Sequence, residues 1–406
     1  MRPLRTLLFS TLYPSAARPV HGIFVETRLR QLLATGEVET RVIAPVPWFP
    51  FTASCFGEYA RHAATPGHET RNGVKVDHPR YLLLPKVGMN LAPYALARAA
   101  LPVAKRLISE GFDFDLIDAH YYYPDGVAAG LLARALGKPF VVTARGSDLS
   151  LIPDYRLPRR LILETAAQAA ASIGVCRALM DRLAELGADE SKLHVLRNGV
   201  DLQRFHPLDR SQARRRLGLP AQARILLSVG LLIERKGNQL AIEAIAGLPD
   251  ALLVLVGSGP ELQNLQRLAQ TLGVSERVRF VGQVANEELK WWYGAADALV
   301  LCSSREGWAN VLLEAMACDT PVLATSIWGT PEVVSAPAAG VLMKTRSAAS
   351  LREAYATLFA DPPQRGATRL HAETFSWQAT TEGQLAIFRA CLDRLRHVTG
   401  RATWKR

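Results

Sequence analysis

Short runs rich in Val, Ile and Leu recur along the chain, separated by longer stretches whose apolar positions return at helical spacing. Such runs read as strands buried on both faces, and their alternation with covering helices predicts parallel sheets. In the first half the predicted strands are Thr6-Leu-Leu-Phe-Ser, Thr40-Arg-Val-Ile-Ala, Leu116-Ile117, Phe140-Val-Val-Thr, Ser172-Ile-Gly-Val and His194-Val-Leu. The pattern restarts with Ile225-Leu-Leu-Ser-Val-Gly, Leu252-Leu-Val-Leu-Val-Gly, Val278-Arg-Phe-Val-Gly, Ala298-Leu-Val-Leu, Pro321-Val-Leu-Ala and Gly340-Val-Leu. Two doubly wound, Rossmann-like α/β domains facing across a cleft follow, over residues 1–205 and 206–375, with binding groups at the carboxyl ends of the strands. The closing segment, 376–406, opens at Ser376, a residue type suited to helix capping. It carries Leu385, Phe388, Leu392 and Leu395 at helical spacing, as a helix packing back toward the first domain would.

Composition narrows the class. With 406 residues of which 49% are apolar, the chain can fill two cores, and a mostly disordered protein is excluded. The formal charge of +11 is spread over both halves with no dense Lys/Arg run among aromatics. That argues against a nucleic-acid partner and for a basic face toward phosphates or anionic lipid, with Arg156, Arg159, Arg160, Lys105 and Arg106 as local candidates. Five scattered cysteines lack metal or redox spacing and fit a reducing cytoplasm. Residues 1–17 imitate a signal peptide but break at Tyr13-Pro14 and read as a buried strand, and Leu91 to Ile108 is too interrupted by Pro and basic residues to span a bilayer. A cytoplasmic protein with peripheral contact at the inner membrane face is expected. His62, His68, His78 and His397 read as loop or surface residues, and no histidine as a metal ligand. Tyr121, Tyr122 and Tyr123 are stacking candidates of which one or two pack inside, and Trp291 and Trp292 read as core.

Candidate chemistry gathers where strands end. Gly230, then Gly257 and Gly259, then Gly282 close three second-half strands, and Gly22 precedes a helix with core face Val25, Leu29, Leu32 and Leu33. Glycine there lets another backbone approach and opens onto a helix N-terminus that favours phosphate. The most informative segment is Glu306-Gly-Trp-Ala-Asn310-Val-Leu-Leu-Glu314, directly after the strand from Ala298. Two carboxylates separated by a loop entering a helix offer acceptor-only groups suited to sugar hydroxyls. A helix cap plus a surface glutamate would explain either acid alone, but leaves Gly307 and Asn310 between them without a reason.

With these motifs on view, the chain resembles the retaining glycosyltransferases of family 4, the glycosyltransferase group 1 family, which have the GT-B fold. The resemblance runs over nearly the whole length and rests on Glu306 to Glu314, Asn198-Gly-Val-Asp201 through Phe205, Glu234-Arg-Lys236-Gly237, Val256-Gly-Ser-Gly-Pro-Glu261, Ala119-His-Tyr through Gly126, Thr143-Ala-Arg-Gly-Ser-Asp148 and Gly329-Thr-Pro-Glu332. It implies transfer of a sugar from a nucleotide diphosphate sugar to a glycan or lipid-linked acceptor in surface polysaccharide or glycolipid synthesis. Anomeric configuration would be retained, with no cofactor and no bound metal. Glu314 would then hold the ribose, Glu306 the donor sugar, amides near Asn310 and Val311 the pyrophosphate, and Lys236 the phosphate charge, with Gly307, Gly230, Gly257, Gly259, Gly22 and Asn198 around them. Two positions depart from the family pattern: Leu231 stands where many members carry Arg, with Arg235 as substitute, and Arg145 where many carry His.

Other readings share parts of this pattern. A GT-B epimerase or hydrolase of nucleotide sugars would release isomerised or free sugar without an acceptor, and a noncatalytic relative would bind sugar nucleotide without turnover. A dinucleotide oxidoreductase is disfavoured because the first glycine turn lacks the Gly-x-Gly-x-x-Gly pattern.

Overall fold

The structure, a computed structural model, describes residues 2–83 and 88–402, with side chains through residue 394. Met1 and the side chains of Leu395 and His397 lie outside the described residues. The chain divides into two compact units, one running to Leu196 and resuming at Gln378, the other spanning Arg197–Trp377.

In the first unit the strands are β1 (Leu4–Phe9), β2 (Val38–Ile43), β3 (Val46–Pro47), β4 (His68–Arg71), β5 (Val74–Asp77), β6 (Arg80–Tyr81), β7 (Leu116–His120), β8 (Phe140–Ala144), β9 (Ala171–Gly174) and β10 (Leu193–Val195). Eight of them form one sheet in the order β10-β9-β8-β7-β1-β2-β5-β4, parallel except where β4 meets β5. That antiparallel pair was not among the expected strands, although its turn carries a legible signal. Asn72 and Gly73 both take positive φ, 47° and 80°, which an Asn-Gly hairpin turn requires. The strands escape an apolar-run criterion because they are short, β4 being polar throughout and β5 carrying polar residues on alternate positions. The closing helix, Trp377–Ala402, buries Leu385, Ile387, Phe388 and Cys391 against Leu32, Val38, Leu116, Val141 and Ile173. Leu392, on the same helix, is half-buried.

The second unit holds β11 (Arg224–Val229), β12 (Ala251–Val256), β13 (Val278–Gly282), β14 (Ala298–Leu301), β15 (Val322–Thr325) and β16 (Gly340–Met343). All are parallel, in the order β13-β12-β11-β14-β15-β16, so the winding reverses between β11 and β14. Residues 197–205 belong to this unit and not, as expected, to the first. Val200 donates its amide to Phe375, and the Phe205 ring meets Tyr293 edge-on at 5.9 Å between centroids.

The loops leaving β11 and β12 are packed backbone to backbone. A Cβ on Gly257, where φ is 146°, would lie 1.8 Å from the Gly230 carbonyl oxygen, and one on Gly259 would lie 2.2 Å from that of Leu232. Replacing Gly257 by Ala should therefore lower unfolding free energy by more than about 2 kcal/mol, the scale of overpacking combined with a strained φ. Gly67, with nothing within 4 Å of a built Cβ, should tolerate Ala within about 0.5 kcal/mol. Denaturant titration of the two variants makes the comparison.

Candidate active site

The reversal point of the second unit is where its charged groups converge. After Gly230 the chain makes a 3₁₀ turn, Glu234–Lys236, and enters the helix Asn238–Ala246 through Gly237. A Cβ on Gly237 would stand 2.1 Å from the carbonyl oxygen of Cys302, so this turn lies directly on the end of β14. That contact brings Lys236 to the loop following β14. Its Nζ donates to Glu306 Oε1 at 2.5 Å, and Ser303 Oγ donates to the same oxygen at 2.6 Å. Arg235 stands 3.6 Å from that oxygen and donates to the Arg305 carbonyl at 2.6 Å, while Ser304 returns its amide to the Arg235 carbonyl at 2.8 Å. Glu306 is buried, and a buried carboxylate stays charged only when paired and hydrogen-bonded, which these contacts accomplish. The two groups assigned separately from the sequence, one to phosphate and one to sugar, are thus a single ion pair.

The helix Asn310–Ala317 starts after Ala309 with no side chain capping it, so its first amides are not taken up by a side-chain acceptor there. Asn198, buried, donates Nδ2 to Asn310 Oδ1 at 3.3 Å. Val311 is half-buried and Gly307 buried beside them. One turn along, Glu314 accepts from the Tyr293 hydroxyl at 2.7 Å. Burial holds the Glu314 carboxyl above the usual carboxylate range and, together with the neighbouring Glu314 charge, holds the Tyr293 phenol far above its own. Trp308 rests on Phe375 at 5.8 Å, and its buried Nε1 has no hydrogen-bond partner. This is a donor available to a ligand oxygen.

Gly230 sits beside Lys236 Cε, whereas Gly257 and Gly259 are required by the chain's own carbonyls. Leu231, where the family pattern has Arg, is exposed, and Arg235 braces the Glu306 loop. Sequence reasoning missed Tyr293 and Ser303. Tyr293 follows two tryptophans, of which Trp292 is buried and Trp291 lies under the Arg216 guanidinium at 4.5 Å, so the run reads as core and hides one functional hydroxyl.

Arg145 and Gly22 belong to the first unit. A Cβ on Gly22 would lie 2.3 Å from the Leu12 carbonyl, so this glycine closes the turn before helix Ile23–Leu33. Phe24, in that helix, lies under the Arg145 guanidinium at 5.4 Å. Arg145 donates to His120 Nδ1 at 2.6 Å, which leaves the ring proton on Nε2, facing Asp118 at 3.3 Å. Burial pushes the imidazole down to about 4, so it is neutral at ordinary pH. The chain of contacts continues inward from Asp118 to Gln384 and from Gln384 to Arg28, at 3.0 and 2.8 Å. His78, expected as a loop or surface residue, lies in the loop after β5 but is buried, between the Ala44 carbonyl and Glu69 of the hairpin. Tyr122 and Tyr123 are buried and Tyr121 reaches Ser147.

Comparison with known proteins agrees with this architecture. Residues 28–204 match the family model of Glycosyltransferase Family 4, and residues 209–374 that of Glycosyl transferases group 1. The chain is 32% identical to D-inositol 3-phosphate glycosyltransferase 1 of Catenulispora acidiphila, over 96% of this chain and 97% of that one. It is 30% identical to the putative teichuronic acid biosynthesis glycosyltransferase TuaC of Bacillus subtilis, over 86% and 88%. Among solved structures, Anabaena HepE in complex with UDP and glucose superposes with a TM-score of 0.71 at 19% identity, over 96% of this chain and 100% of that chain. A matched pair of family models, full-length relatives above 30% identity and two doubly wound parallel sheets establish that this chain belongs to the group 1 (family 4) glycosyltransferases of GT-B fold.

Proposed function

We propose that the chain transfers a hexosyl group from a nucleoside diphosphate sugar to a hydroxyl of a glycan or lipid-linked acceptor, with retention and without a bound metal. The observation that carries this reading is the Lys236–Glu306 pair at the strand-order reversal, beside the uncapped helix that bears Glu314. An ammonium has three donors, so pairing with Glu306 leaves capacity for the oxygens of a departing diphosphate. Charge growing on that diphosphate as the glycosidic bond breaks is what a preorganised cation stabilises. Glu306 and Trp308 Nε1 then orient the donor sugar, and Glu314 accepts from the ribose hydroxyls. The UDP held by HepE supports a uridine nucleotide as first choice of donor base. The assignment of TuaC to teichuronic acid biosynthesis supports a growing glycan as acceptor.

Glu314→Gln should weaken nucleoside diphosphate binding at least about tenfold, because hydrogen bonds to a charged group are worth roughly 1.5–3 kcal/mol each. Isothermal titration measures this, and an unchanged dissociation constant removes the ribose assignment. Its pH dependence has a definite sign. The raised Glu314 carboxyl takes its proton before an ordinary glutamate does on acidification, so affinity should begin to fall above the usual carboxylate range, and the Gln variant should lose that dependence.

Lys236→Ala should lower turnover by about 10²- to 10³-fold per folded enzyme, while chelator leaves the parent rate unchanged. Strong dependence on added magnesium would overturn the metal-free reading. Nuclear magnetic resonance of the first-formed product reads the anomeric configuration, and an inverted linkage would overturn retention.

A further inference from the structure

The buried polar row of the first unit, from Arg28 through Gln384, Asp118 and His120 to Arg145, has hydrogen bonds whose sense is fixed at both ends. Asp118 and His120 stand two apart on β7 and so point to one face of the sheet. There Gln384 of the closing helix meets Asp118, and Arg28 of the helix Ile23–Leu33 meets Gln384. Arg145 follows the carboxyl end of β8, where doubly wound sheets gather their binding groups. A guanidinium can only donate, and one closes the row at each end. Arg28 Nε therefore makes Gln384 Oε1 an acceptor, which turns Gln384 Nε2 toward Asp118. Arg145 makes His120 Nδ1 an acceptor, which leaves the Nε2 proton for Asp118. The two senses meet on a single oxygen, Asp118 Oδ2.

Packing does not call for such a row, because apolar side chains of similar volume in place of buried charges are often neutral or stabilising. Nor is the row fully satisfied. Arg28 Nη2 and Asp118 Oδ1 are buried without a hydrogen-bond partner, although the two groups are within electrostatic reach of one another. Opposite charges so placed would close into a direct ion pair, and Gln384 stands between them, bonded to both. It keeps Asp118 turned to His120 and away from Arg28.

We propose that Gln384 and Asp118 are positioning residues, a spacer and a shared acceptor that hold His120 as its Nε2–H tautomer and thereby lock the Arg145 guanidinium in one orientation at the end of β8. The closing helix then sets the geometry of the residue standing where many family members carry His. That Arg145 meets substrate rests on the transferase reading proposed above, whereas its being held does not.

Nuclear magnetic resonance of the full chain, isotope-labelled at its histidine and arginine nitrogens, reads both His120 and Arg145. Expected at neutral pH are a single Nε2–H tautomer for His120 and separate Nη signals for Arg145, whose rotation about Nε–Cζ is hindered while it is held. Gln384→Met, close in volume and unable to make either bond, should mix the tautomers and average the Nη signals, with an amide spectrum that otherwise shows the variant folded. Its kcat should fall at least about tenfold with KM for the nucleotide sugar unchanged, since a misplacement of about 1 Å costs roughly 100-fold. Asp118→Asn retains an oxygen for both links and puts its amide nitrogen in the place of the unpartnered Oδ1, so it should keep the tautomer and the separate signals. Averaged Nη signals or an Nδ1–H tautomer in the parent, Gln384→Met with both signals as in the parent, or loss of both in folded Asp118→Asn would each overturn the proposal. Parent kcat in a Gln384→Met chain whose Arg145 is released would overturn its part in the reaction. A parent chain that transferred no sugar would sink the transferase reading, while the resonance signals would still decide whether Arg145 is held.

Discussion

A carboxylate cannot be left buried and charged at the end of a parallel strand unless a cation is built in beside it, and the second unit is arranged around that constraint. Glu306 needs Lys236, and Lys236 reaches it only because Gly237 lets the turn after β11 lie on the Cys302 carbonyl at the end of β14. Glycine at that position is therefore an electrostatic requirement expressed through backbone geometry. Removing Glu306 takes away the carboxylate that Lys236 pairs with, and removing Lys236 leaves Glu306 only the Ser303 hydroxyl and the more distant Arg235, so the two residues are tied together by folding as well as by chemistry.

The first unit meets a similar constraint by a different route. Arg28, Gln384, Asp118, His120 and Arg145 are all buried, and each is hydrogen-bonded to the next. Neutral His120 is what allows two unlike neighbours, accepting from the guanidinium at Nδ1 and donating to the carboxylate from Nε2. A histidine at position 145 could not place a guanidinium on His120 Nδ1, so the departure from the family pattern changes the character of this strand end. Gln384 comes from the closing helix. That helix thus completes both an apolar core and a polar chain, which explains why it belongs to the first unit although it follows the second in sequence.

All twelve strands expected from apolar runs are present, eleven within two residues of their expected ends and β7 running three residues beyond Ile117, because strands covered by helices on both faces must be continuously apolar. The hairpin of β4 and β5 was illegible to that criterion, although Asn72-Gly73 announces it, because β4 is polar throughout and β5 only alternates. Boundaries read less well than elements. Residues 197–205 were assigned to the end of the first domain, yet Phe205 packs on Tyr293, and a contact between positions so distant in sequence leaves no local signal. At the site, the glutamates and lysine were legible from their place after strands, but their pairing was not, since it depends on which two strand ends become neighbours. Tyr293 was concealed for a different reason. A tyrosine whose ring belongs to the core and whose hydroxyl belongs to the site looks the same in sequence as one that is wholly core.

The same asymmetry governs how surfaces are read. Charge is visible in sequence because basic residues are nearly always exposed, and it draws attention to Arg106, Arg159 and Arg160, which the fold supplies with internal partners. Apolar side chains carry the opposite prior, so Trp48, Phe51 and Leu91 read as core until the structure shows them uncovered. The exposure of these side chains follows the path of the chain beyond the short pair β3 and β6 and ahead of the helix Ala92–Ser109, a path that no local run of apolar residues encodes.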